Sequence, residues 1–245
     1  MPHRDVLIST ADGTCDASLH TPDDSGPWPA VIMYPDAGGA RDTFRAMAQQ
    51  LADLGYAVLL PNLYYRQGEF EPIGATVFTD PAEWARLMEL AASLTEQMAA
   101  RDTEAVLEFL AVQPEVASRT KVGTTGYCMG GSFALTAAGR HPDRVGAAAS
   151  FHGGQIASTA PDSPHLLAGS IQATLYIAGA ENDDSFDDEQ FGRMSTALTE
   201  AGVEHTLVTY PAAHGFAVPD NPTYDEAAAA RHWQALEDLY ASALS

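Results

Sequence analysis

The sequence predicts an α/β fold, with a mostly parallel central sheet and helices on both faces. Three observations carry this reading. Unbroken apolar runs at Ala30–Tyr34 and Tyr56–Leu60 lack the alternation of a half-exposed strand, so they read as strands covered on both sides, and Val145–Phe151 reads as a further short strand. The stretches between such runs place apolar residues three and four apart, the spacing of an amphipathic helix. Gly55 and Gly202 close two of these helices, and the resulting strand–helix alternation is that of a parallel sheet. No repeat, low-complexity tract or linker divides the 245 residues, so one domain over 1–245 is expected.

Taken in order, Val6–Ser9 and Cys15–Leu19 flank Ala-Asp-Gly-Thr and read as an edge hairpin. The strand at 30–34 stops at the loop Pro35-Asp-Ala-Gly-Gly39. A helix over 41–54 follows, with Phe44, Met47, Ala48 and Leu51 on one face. The strand at 56–60 ends at Pro61-Asn62. Residues 63–79 are irregular. Asp80-Pro81 then reads as a cap and first-turn proline for helical patterning over 84–111, with a break near Ala100-Arg101. Residues 63–100 form a candidate lid, to which Phe78 and Trp84 would contribute, although aromatics at helical spacing are more often core. Further strands are expected at 122–125, 145–151, 173–178 and 205–210, and helices at 131–140, 187–201 and 224–244.

The stretch Gly126-Tyr-Cys128-Met-Gly130 joins a strand to a helix and has the G-x-S-x-G spacing of a nucleophile elbow, with cysteine as the central residue. The turn is so sharp that a side chain at either flanking position would collide with backbone. With 2 cysteines and 20 glycines, chance supplies about 0.01 such matches. The alternative is a buried structural cysteine between turn glycines.

A thiol nucleophile needs a base, and the base an orienting acid. In an α/β-hydrolase arrangement their order is nucleophile, acid, histidine. Of the eight histidines, only His152 and His214 stand just after a predicted strand outside the N-terminal edge hairpin, and His214 comes after an acidic loop. Asp183 and Asp184 in that loop are equivalent by position. The run Asp183-Asp-Ser-Phe-Asp-Asp-Glu189 also reads as a solvated helix N-terminus, and it lacks the glycine of a calcium loop, so no metal site is expected. The backbone N–H groups of Met129 and of Ala37 are placed to form an oxyanion hole. Tyr64, Tyr65, Arg66 and His152 lie in loops after strands and are candidates for substrate contact.

Bulk composition narrows the partners. A net charge of −21, from 33 acidic and 12 basic residues, argues against nucleic acid and anionic membrane surfaces. No apolar run reaches the length of a membrane span, and no leader pattern opens the chain. Two cysteines are too few for a disulfide framework, which favours a cytoplasmic setting. No cofactor is implied, and a monomer or homodimer is expected.

On these residues the chain resembles the dienelactone hydrolase family over nearly its whole length. Gly-Tyr-Cys128-Met-Gly-Gly is similar to that family's elbow, Pro-Asn-Leu-Tyr64-Tyr-Arg66 to a further segment, and Gly-Ala-Glu-Asn-Asp183 and His214-Gly-Phe to its acid and histidine loops. The resemblance implies a triad of Cys128, Asp183 and His214 acting on an ester or lactone through a thioester. It also implies that Asp36, where the family carries glutamate, hydrogen-bonds the resting thiol and keeps it neutral until substrate arrives. An arginine that the family uses to hold a substrate carboxylate is Val218 here, which leaves Arg66 and Arg86 as candidates for such a clamp. With that departure and the charge of −21, a neutral ester is as well suited as an anionic lactone. Acyl transfer from the same site, or a non-enzymatic thiol sensor or receptor with Cys15 as resolving partner, are the competing readings.

Overall fold

The computed structural model describes residues 3–68, 73, 75–117 and 120–244. Its centre is an eight-stranded sheet of β1 (His3–Thr10), β2 (Gly13–His20), β3 (Ala30–Tyr34), β4 (Ala57–Pro61), β5 (Val122–Tyr127), β6 (Val145–Phe151), β7 (Thr174–Ala180) and β8 (His205–Tyr210). The spatial order is β1-β2-β4-β3-β5-β6-β7-β8. The first two strands form an antiparallel hairpin whose second strand pairs antiparallel with β4, and every later pairing is parallel.

Helices α1 (Asp42–Ala52), α2 (Pro81–Ala92), α3 (Glu96–Ala111), α4 (Met129–Arg140), α5 (Asp188–Ala201) and α6 (Glu226–Ala243) complete the chain. One core layer joins α1 and α6 to the sheet through Phe44, Leu51, Tyr127, Leu236 and Tyr240. On the opposite face Val106, Leu107 and Leu110 of α3 and Phe133 of α4 meet Ile32, Tyr34 and Leu59. β3 and β4 are buried at every position, as their unbroken apolar runs require.

The expected strands appear within a few residues of their predicted limits. The helical break does not fall near Ala100-Arg101: α2 ends at Ala92 and α3 starts at Glu96. Local capping explains the shift, because the Thr95 side chain accepts the N–H of Met98 and begins a new helix. At the other end of α2, Asp80 caps with Pro81 at the first position. α5 ends at Gly202, whose φ of 68° is left-handed. No described helix is long and apolar enough to cross a membrane.

Candidate active site

Cys128 stands at the carboxyl end of β5, a central strand, on the step into α4. Its φ of 52° and ψ of −119° lie outside the comfortable range of an L-residue. The flanking glycines are mandatory for steric reasons. A β-carbon on Gly126 would overlap the carbonyl of Gly130, and one on Gly130 would overlap the carbonyls of Tyr34 and Pro35. β5, α4 and the end of β3 therefore approach one another as closely as backbone allows, and the cysteine is thrust above the sheet.

His214 comes from the loop after β8 and Asp183 from the loop after β7. His214 Nδ1 donates to Asp183 Oδ2 at 2.7 Å. The other carboxylate oxygen of Asp183 accepts the backbone N–H of Ser185 at 2.9 Å and the Ser185 hydroxyl at 2.5 Å. Asp183 is buried whereas Asp184 is exposed, so geometry separates two residues that position alone could not. Burial by itself would lower the pKa of His214, but hydrogen bonds to Asp183 and to the Cys128 sulfur carry it up to about 10. Burial works to raise Asp183, yet the bonds from His214 and Ser185 leave it below the ordinary carboxylate value.

Ala37 and Met129 both line the cleft beside Cys128. Met129 opens α4, so its N–H is one of the first-turn donors with no intrahelical acceptor. The loop carrying Ala37 is closed by Gly39 N–H donating to the Asp36 carbonyl at 3.0 Å. It is also clamped by the Tyr64 hydroxyl, which donates to the Ala37 carbonyl at 2.8 Å. Tyr64 is fully buried and braces this loop, with no surface to offer a substrate.

Asp36, Tyr65, Arg66 and Arg86 take partners other than those expected from the sequence. Asp36 does not hold the thiol. Both of its oxygens are taken by Arg41, at 2.6 and 2.9 Å, and the same guanidinium reaches Asp220 at 2.7 and 2.8 Å. Arg41 is only five residues away in sequence, and a planar fork matches a carboxylate better than a thiol does. His214 instead shares the cleft wall with Cys128, and the sulfur helps to raise the histidine's pKa. Tyr65 and Arg66 also leave the site: the Tyr65 hydroxyl pairs with Thr10 and Asp102, and Arg66 with Asp12 and Asp102. These two residues fasten the N-terminal hairpin to α3. His152 is 1% exposed and packs its ring 5.0 Å from that of His214. Burial holds its pKa well below the usual histidine value, so it is a neutral wall behind His214. Arg86 pairs with Glu83 on α2 and is not among the described residues that line the cleft, and Val218 is in the core.

The cleft has two lobes that share Ala37, Trp84, Leu87, Cys128 and His214. The larger encloses about 970 Å³ and runs along α4, under α2, past Met88, Met129 and Phe133 to Glu96. The smaller, about 180 Å³, reaches Ile73, Phe78, Arg41 and Asp220. α2 has no buried residue and leaves Trp84 half exposed, so the cover is held far more loosely than the floor. Sequence reading missed Arg41, Asp220, Ser185 and Glu96. Only Ser185 carried a signal, two residues beyond an aspartate in an Asx turn.

A sulfur on a strained strand-to-helix turn, with a histidine and an aspartate from later loops of a mostly parallel sheet, defines an α/β-hydrolase. Comparison with known proteins gives the family. The profile of the dienelactone hydrolase family matches residues 15–244. A carboxymethylenebutenolidase of Rhodococcus opacus is 28% identical over 228 residues, covering 91% of this chain and 84% of that one. Among solved structures, a dienelactone hydrolase-like promiscuous phosphotriesterase from metagenomic libraries superposes with a TM-score of 0.82 at 27% identity, covering 100% of this chain and 99% of the other. The dienelactone hydrolase of Anabaena variabilis shares the fold, with a TM-score of 0.68 at 20% identity over 100% and 99%. The chain belongs to the dienelactone hydrolase family and is a hydrolase.

Proposed function

We propose that this hydrolase cleaves an ester or lactone through Cys128, with His214 as acid–base and Asp183 as its orienting acid. The observation that carries the reading is the meeting of Cys128 and His214 where the two lobes join, with His214 Nδ1 bonded to Asp183. The thiolate sulfur attacks the carbonyl carbon, and the carbonyl electrons move to oxygen beside the N–H groups of Ala37 and Met129. Collapse of that oxyanion breaks the C–O bond, and the leaving alkoxide takes a proton from imidazolium His214. Water then attacks the thioester and gives its proton to His214. The second collapse expels the thiolate and releases the carboxylic acid. Each oxyanion donor contributes about 3 kcal/mol, on the order of 100-fold in rate. Two lobes meeting at the sulfur suit the two halves of an ester.

Cys15 does not favour a sensor. It is buried on β2, and burial, with the carboxylates of Asp102 and Asp16, drives its pKa up to about 12. Hydrolysis of p-nitrophenyl esters and simple lactones tests the proposal. Cys128→Ala should reduce kcat/KM by at least about 1000-fold. The wild type should show an acyl adduct on Cys128 by intact mass in a rapid quench. Full activity in Cys128→Ala would overturn it.

A further inference from the structure

The large lobe joins the nucleophile to one carboxylate along a single helix. Ser132 and Thr136 follow Cys128 by four and eight residues on α4, and both hydroxyls donate to Glu96, one to each carboxylate oxygen. A helix repeats every 5.4 Å, so Glu96 is held roughly 6–12 Å from the sulfur along α4. At the first position of α3 a glutamate ordinarily turns back toward its own helix N-terminus. Here Thr95 supplies the cap and Glu96 turns across to α4.

Two hydroxyls occupy two of the roughly four acceptor positions of a carboxylate, so the group keeps capacity for a donor or cation arriving from the lobe. Between Cys128 and Glu96 the walls are apolar, formed by Leu87, Met88, Met129 and Phe133. Among the described residues, the charged side chains lining this lobe are the acids Glu96, Asp162, Asp183 and Asp184 and one cation, His214, which is already paired with Asp183. Arg41, which faces the smaller lobe, is already bound by Asp36 and Asp220.

We propose that the large lobe selects esters by the charge at the far end of an apolar acyl chain, favouring a cationic end and rejecting a carboxylate, with Glu96 as the selecting residue. This rests on the hydrolase reading above. Burial inclines Glu96 toward a raised pKa against the pull of its two hydroxyl partners. A cation at the end of the chain offsets that burial, and an anion compounds it.

Three p-nitrophenyl esters of one chain length test the idea, ending in trimethylammonium, in its neutral isostere tert-butyl, and in carboxylate. For the wild type, kcat/KM should fall in that order, with the cationic ester about 10-fold above the neutral one and the carboxylate at least about 10-fold below it. In Glu96→Gln the cation-to-neutral ratio should shrink about 10-fold. A wild type that prefers the carboxylate, or an unchanged ratio in Glu96→Gln, overturns the proposal. Should Glu96→Gln fail to fold, the wild-type series still decides: the stated order supports the proposal, and a charge-blind or reversed order overturns it. Absence of hydrolysis for all three esters and for simple lactones would instead sink the hydrolase reading.

Discussion

The loops after β3 and after β7 each place an aspartate close to the reaction centre, and the two aspartates have opposite fates. Asp183 orients His214. Asp36 is captured by Arg41, which also holds Asp220. Both are charged, part-buried groups following strands, so residue type and position do not separate them. The nearest strong donor does. A guanidinium five residues away outcompetes the thiol for Asp36, whereas Asp183 has Ser185 and His214 within reach and no arginine among its partners. One loop became an ion-pair network that lines the cleft, and the other holds the hydrogen bond to His214.

Substitution at the two aspartates should expose that difference most sharply. Asp183→Asn should lower kcat/KM by about 100- to 10,000-fold, because the histidine loses its orienting charge. Asp36→Asn should lower kcat/KM by less than about 10-fold, and comparable losses in the two variants would erase the distinction. Arg41→Ala should then cost about 3 kcal/mol of stability in urea unfolding, since it leaves both Asp36 and Asp220 unpaired in a part-buried site.

The pH response follows from the signs of the shifts. His214 is raised from about 6.5 to about 10, so its stabilising charge is complete below about 6.5 and is lost as pH rises through about 10. Activity and stability should both fall on the alkaline side, and in Asp183→Asn that limb should move to lower pH. A wild-type limb already near pH 7 in the kcat/KM profile would contradict the assignment. A smaller effect, on the order of 10-fold in kcat, is expected for Tyr64→Phe, which releases the Ala37 carbonyl and loosens one oxyanion donor. Asp184→Asn should change kcat/KM less than about 2-fold, because Asp184 is exposed and makes no bond to His214.

Much of the site was legible without coordinates because its logic is local. The elbow needs Gly126 and Gly130 at fixed spacing from Cys128, and the overlap that forbids a β-carbon on Gly126 is with Gly130 itself, although the one on Gly130 is with the end of β3. Strands buried on both faces announce themselves as unbroken apolar runs, and the order nucleophile, acid, histidine follows from strand order. The sequence by itself therefore determined an α/β sheet, a cysteine raised at its carboxyl edge, and His214 in the loop that could reach it. Only the tertiary structure decided between Asp183 and Asp184, sent Asp36 to Arg41, moved Tyr65 and Arg66 to the N-terminal hairpin, and brought Glu96 against Ser132. Those choices depend on side-chain partners as much as 179 residues apart, as in Arg41 and Asp220. A charged group takes the best-matched partner that folding places beside it, and no local pattern in the chain records which partner that is.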